Sequence, residues 1–183
     1  MNALSAVAPA TIHSRFRYRC SQCDKIHHGL PDVCFPTPDC VRDLPQKKFD
    51  ESCLISEDVC IVDGTSFYIY CVLEVPVVDY PDRFGWGVWC QTSWTPFKLY
   101  WESLSAPQSN RLPVAGARIS NDLAHMPSTT GTRCEIHFRK NGARPIVKLP
   151  PSKHRLYNIQ QQGLSVDEAV AQAQSVGTLL LVA

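Results

Sequence analysis

Apolar and polar residues alternate with a period of two in several short stretches of the chain and follow a helical period in few. Val59-Cys60-Ile61-Val62 leads through Asp63-Gly64 into Phe67–Val75, a run rich in aromatic and β-branched residues. Asp-Gly between two such runs predicts a tight hairpin over 58–76. With Val62 set opposite Phe67, the residues Cys60, Val62, Phe67, Ile69 and Cys71 would share one face. A further strand is predicted at Phe84–Gln91, where Gly85 and Gly87 interrupt Trp86, Val88, Trp89 and Cys90. Glycines inside a strand mark a bulge or a close backbone approach. Cys134, Ile136 and Phe138 alternate with Glu135, His137 and Arg139, and Asn141-Gly142 then turns the chain toward Pro145–Leu149. That pattern predicts a second hairpin over 132–149 with one wet face.

Helical periodicity is confined to a few places. Thr95-Pro96 supplies an N-cap and a first-turn proline, and Phe97, Tyr100, Trp101 and Leu104 then fall on one apolar stripe, read as core. Ser165 and Glu168 form a capping-box pattern that starts a C-terminal helix from about 166, with Val166, Ala169, Val170 and Ala173 on its inner face. A single helical turn is predicted at Gln46–Phe49. Residues 106–131 carry Pro, Ser, Asn and Gly without a clear period and read as loops. The expected fold class is α+β, an antiparallel sheet with a few packed helices. Residues 1–13 read as a loose tail, and 14–183 as one domain.

Composition changes this picture little. The 183 residues are 44% hydrophobic and 19% charged, enough to bury a core without disulfides. A formal net charge of +1 advertises neither nucleic acid nor a cationic partner. The first residues lack the basic region of a secretory signal, and the late apolar run at Leu179–Ala183 is too short to span a bilayer. A cytoplasmic location is the expectation, with no membrane partner. The nine cysteines fit a reducing compartment better than a disulfide framework. Cys53, Cys90 and Cys134 are expected to be small buried hydrophobes.

Cys20 and Cys23 differ because of their company. A Cys-x-x-Cys turn presents two sulfurs to one ion, and His27 can reach the same ion from the next turn, so residues 18–31 read as a zinc-knuckle-like turn. The competing reading is a pair of reduced thiols packed in a turn. A thioredoxin-like role is disfavoured, since no βαβ pattern surrounds the pair. Trp86 and Trp89 are candidate partner-binding residues flanked by strand glycines. The alternative makes them core aromatics on opposite faces of a regular strand. Glu74 stands in an otherwise apolar strand, where a buried carboxylate needs a partner. No Gly-x-Ser-x-Gly elbow, phosphate loop or His-Glu-x-x-His helix occurs, and His125, His137 and His154 have no assigned nucleophile.

The ordered series Cys20-x-x-Cys23-x-x-x-His27-x-Gly29-Leu30-Pro31, Asp58-Val59-Cys60-Ile61-Val62-Asp63-Gly64, Leu73-Glu74-Val75-Pro76-Val77 and Phe84-Gly85-Trp86-Gly87-Val88-Trp89 resembles the bacterial family known as domain of unknown function 2199. Arg144-Pro145 and His154-x-Leu156…Gln160…Gly163 match its ending, so the resemblance covers roughly 18–176. It implies a compact, stand-alone bacterial domain and carries no activity. Cys60, in the resembling Asp-x-Cys motif, is the candidate fourth zinc ligand, with Cys71 and His28 as rivals. This chain has Asp24 where the family usually places glycine, and Arg155 where it tends to have proline; the latter alters the local backbone.

Three function classes compete. The first is a non-catalytic, zinc-stabilised binding protein acting on a protein partner, of immunity or accessory type. The second is a metal-dependent enzyme of unknown substrate with Glu74 or His154 as acid or base. The third is a nucleic-acid-binding zinc-ribbon-like module using Arg15, Arg17, Arg19 and Lys25, which the near-neutral charge disfavours.

Overall fold

The computed structural model describes residues 16–19, 24–105, 112–140 and 143–175, together with the backbone of 180–182. Along the chain run β1 (Phe16–Arg19), β2 (Ile26–His28), β3 (Val33–Cys34), α1 (Asp39–Arg42), α2 (Gln46–Ser52), β4 (Cys53–Ile55), β5 (Val59–Val62) and β6 (Ser66–Pro76). They are followed by β7 (Arg83–Thr92), α3 (Trp94–Ser105), β8 (Ala115–Ile119), β9 (Arg133–His137), β10 (Ile146–Lys148), α4 (Arg155–Gln162), α5 (Val166–Gln174) and β11 (Leu180–Val182).

The backbone of the fold is the long antiparallel pairing of β6 with β7, from Phe67 opposite Thr92 to Pro76 opposite Arg83. Strands β7, β8, β9 and β10 then pair antiparallel in turn. Strand β10 returns to β6 in parallel, with Ile146 opposite Val72, and closes the ring. The result is mixed helix and sheet around a barrel-like core, so the expected antiparallel sheet with packed helices is met in part. A second parallel join sets Val33 of β3 beside Trp86 of β7. Closure removes the edges that a long β6–β7 ribbon would otherwise expose. A separate small sheet in the order β11-β1-β2 leans on the far end of that ribbon through Phe16, whose ring meets Tyr80 at 5.9 Å.

Strand alternation sorts side chains into two cores. The barrel interior holds Ile69, Cys71, Leu73 and Val75 of β6 with Phe84, Trp86, Val88 and Cys90 of β7. The other face of the ribbon carries a second cluster: Tyr68, Tyr70 and Trp89, covered by Val41, Cys53, Cys60 and Val62. Because β7 is covered on both sides, it is buried from Phe84 to Cys90, and its residues read as a continuous apolar run.

The β5–β6 turn corrects the expected register. Asp63 and Gly64 both take positive φ (50° and 66°), as a tight hairpin demands. Thr65 also lies in the turn, its N–H donating to Val62 O at 3.1 Å, so Val62 faces Ser66 and Cys60 faces Tyr68. A one-residue slip flips every side chain. Cys60 therefore sits in the second cluster and Cys71 in the barrel, on opposite faces.

Helix ends follow local chemistry. The Ser165–Glu168 capping box starts α5 as its sequence dictates. His154 caps α4: its Nδ1 accepts from Leu156 N–H at 3.1 Å, leaving Nε2 to donate to Ser128 O, also at 3.1 Å. Buried Gln160 accepts from Leu149 N–H and donates to Val147 O, tying α4 to the β10 region. Trp86 Nε1 donates to Gln172 Oε1 at 3.3 Å, which ties α5 to the barrel.

Candidate functional site

On the outer face of the β6–β7 ribbon, two glycines leave space that polar side chains fill. A Cβ at Gly85 would lie 2.7 Å from Asp32 Oδ1, and one at Gly87 would run into the Tyr70 phenol. The glycines thus form a floor on which Asp32 and Tyr70 rest side by side. Glu74 stands directly opposite Gly85, with Arg83 at 3.7 Å from its carboxylate. Cys34, the exposed residue of β3, neighbours Tyr70. Arg144 lays its guanidinium 4.6 Å from the centre of the Tyr70 ring, and its Nε reaches Asp58 at 3.2 Å.

Burial shapes the electrostatics of Asp32 and Tyr70. Burial of the Asp32 carboxyl raises its pKa; the Gly85 N–H works against the rise and the Glu74 charge adds to it. Although the Asp32 residue as a whole stays open to solvent, its carboxyl end lies against Gly85. Tyr70 is likewise pushed up by burial and by Cys34, with Arg144 pulling the other way. The arrangement offers a carboxyl whose pKa is raised, a second carboxyl group, a phenol and an exposed thiol around one spot. Several of the segments that carry the family resemblance meet here: Asp58, Glu74, Gly85, Gly87 and Arg144. Asp32 and Cys34 escaped the sequence reading because the Pro-rich stretch after Pro31 has no period. The paired glycines were the available signal.

Of the expected metal ligands, His27 and Cys60 lie among the described residues. Cys20 and Cys23 lie outside the described residues, in the segment that joins β1 to β2. His27, on β2, stacks on Tyr18 at 5.4 Å. Cys60 pairs with Tyr68 near the start of β6, whereas the small sheet that carries His27 leans on Tyr80 beyond the end of that strand. Burial, with Cys53 and Cys40 as neighbours, pushes the Cys60 thiol up to about 12. The rival Cys71 is enclosed in the barrel, and His28 is exposed on β2. Among the described residues, no three His, Cys, Asp or Glu side chains converge to hold a metal ion.

Trp86 and Trp89 are 0% and 2% exposed. They lie on opposite faces of β7, in the barrel and the second cluster respectively, and neither belongs to the surface of the folded chain. The exposed indoles are elsewhere. Trp94 and Trp101 of α3 are 47% and 45% exposed, so the predicted core stripe of that helix buries Phe97 and Tyr100 but not Trp101. Trp94 packs on Phe67 at 5.0 Å, Phe67 faces Ile61, and Ile61 faces Leu54. Leu54 is 72% exposed. One apolar band therefore runs from α3 across β6 and β5 to the rim strand β4.

Among the described residues, no helix is long and apolar enough to cross a membrane. No curated protein and no solved structure matches the chain. A family model described as an uncharacterized protein conserved in bacteria matches residues 19–164. The order of motifs and this match agree, and the chain belongs to the DUF2199 family.

Proposed function

We propose that this chain is a non-catalytic bacterial binding protein, of immunity or accessory type, that works in the cytoplasm by docking a protein partner. The observation that carries the reading is the apolar band from Trp101 and Trp94 through Phe67 and Ile61 to Leu54. Large exposed aromatics in a contiguous band are the anchors that interfaces use. Zinc held by Cys20, Cys23 and His27 would stiffen the β1–β2 connection. Its test is elemental analysis of protein made without a polyhistidine tag, with about one zinc per chain expected.

The partner reading is tested by affinity capture from the native host, identification of the partner, and titration of purified components. Trp94→Ala and Trp101→Ala should weaken binding while circular dichroism stays unchanged. Unaltered affinity in both variants would displace the interface. A second reading, acid–base catalysis, is favoured by Asp32 and Glu74 meeting at Gly85, where burial raises the Asp32 pKa. Turnover of a small substrate that is lost in Asp32→Asn or Glu74→Gln would promote it over binding.

A further inference from the structure

Strand β4 ends the sheet. It pairs with β5 alone among the described residues. Asp63 N–H donates to Ser52 O, and Ser56 N–H donates to Val59 O. By the alternation of an antiparallel ladder, Ser52, Leu54 and Ser56 turn their backbone groups toward β5, and Ile55 turns its N–H and C=O outward. The Cys53 N–H is taken by Phe49 O at the end of α2, so its carbonyl is the third outward group. Such a rim is a template for another strand unless something blunts it. Charged side chains usually do so, but the central residue here is Leu54, the most exposed large apolar side chain described.

Charge tells what fits. Asp63 stands at the N-terminal end of β4, held there by its bond to Ser52, and Glu57 stands beyond the C-terminal end. Both are exposed. Between residues 46 and 64 two lysines face five carboxylates. Lys47 is turned to Glu51 at 4.0 Å, Asp50 accepts from Gln46 and Asp58 is held by Arg144, which leaves Glu57 and Asp63 to meet a ligand.

We propose that β4 receives an extended segment of the partner, apolar at alternate positions and basic between them, which adds a strand to the sheet. This deepens, and rests on, the partner-binding reading above. The added strand exchanges two hydrogen bonds with Ile55, covers Leu54 with an apolar side chain, and sets lysine or arginine against Asp63 and Glu57.

The probe is a blocked seven-residue peptide alternating lysine and valine, titrated into the full chain and followed by amide chemical shifts. A glutamate–valine peptide serves as its counterpart. Ile55→Pro removes the outward N–H without touching the β5 ladder, a change that rim strands tolerate. The expected result is binding of the lysine peptide with shifts centred on 53–56, weakened about tenfold or more by Ile55→Pro. Glu57→Lys with Asp63→Lys should weaken it as well, should Ile55→Pro disturb the fold. Failure of the lysine peptide to bind, equal binding of the glutamate peptide, or indifference to both substitutions would overturn the proposal. If the captured partner needs Trp94 and Trp101 but ignores Ile55→Pro, the partner-binding reading stands and strand addition falls.

Discussion

Four tryptophans divide into two pairs with opposite environments. Trp86 and Trp89 lie three residues apart on β7 and are enclosed, each with its indole N–H spent inside the protein: Trp86 on Gln172, Trp89 on the Phe35 carbonyl at 3.1 Å. Trp94 and Trp101 lie seven residues apart on α3, flank the buried Phe97 ring at 5.9 and 5.7 Å, and keep nearly half their surface in water. A central strand covered on both faces has no outward side, so its aromatics serve the fold. A helix laid over a sheet face has one, and its aromatics are available to a partner. The motif read as a docking candidate is buried, and the helix read as core carries the exposed indoles.

The comparison breaks if removing a β7 tryptophan is cheap. Trp86→Ala should lower unfolding free energy by about 3–5 kcal/mol, since it empties the barrel and strands Gln172. Denaturant melts against wild type give the value, and a loss similar to that of Trp101→Ala would collapse the distinction. On α3 the effect should appear in affinity: Trp94→Ala or Trp101→Ala should cost about 2 kcal/mol of partner binding. Their melting midpoints should stay close to wild type.

Cysteines repeat the contrast on a chemical scale. Cys34 and Cys40 are exposed and should be labelled quickly by a thiol reagent in the native state. Cys60 and Cys134 should stay silent until denaturant is added. Burial holds the Cys60 proton, while contact with Cys90, Sγ to Sγ at 4.0 Å, followed by burial, holds that of Cys134. Peptide mapping after brief labelling decides it, and fast modification of Cys134 would mean that the barrel opens.

The parts legible from the sequence are those where a local rule governs the outcome. Asp63-Gly64 forces a turn, Ser165 and Glu168 cap a helix, and the alternation at Cys134, Ile136 and Phe138 places all three in the core. Tertiary partners decided the rest. Strand β8 lies in the stretch read as loops; its Ala-Gly-Ala-Arg-Ile sequence has little β pattern, and it forms because β7 and β9 offer ladders on both sides. The parallel closure of β10 on β6 joins distant segments that no short motif connects. The slip at Thr65 moved Cys60 to the other face, which period alone could not foresee. Asp32 and Tyr70 meet over two glycines only because β3 lies beside β7.

Acid offers the smallest and most local test, because it should disturb the surroundings of Trp89 before those of α3. The Trp89 backbone N–H donates to Asn121 Oδ1 at 2.8 Å, and Asn121 in turn is held by Asp39. The next residue, Asp122, gathers the following loop: its Oδ1 accepts from the N–H groups of Thr130 and Thr129 and from Ser128 Oγ. The Thr130 N–H leads in holding the Asp122 carboxyl below the usual carboxylate range, and desolvation works against it. A depressed folded-state pKa stabilises the protein above the unfolded value, and the gain disappears as pH falls through the folded one. The window therefore lies below about pH 4. Asp122 is exposed, so solvent screening keeps the contribution small. In a Trp94→Phe/Trp101→Phe background, where the remaining emission comes from β7, acidification through that window should lower the melting midpoint and shift the fluorescence. Asp122→Asn should flatten the slope over the same range. An unchanged slope in Asp122→Asn would show that the loop behind Trp89 takes its acid sensitivity from another group.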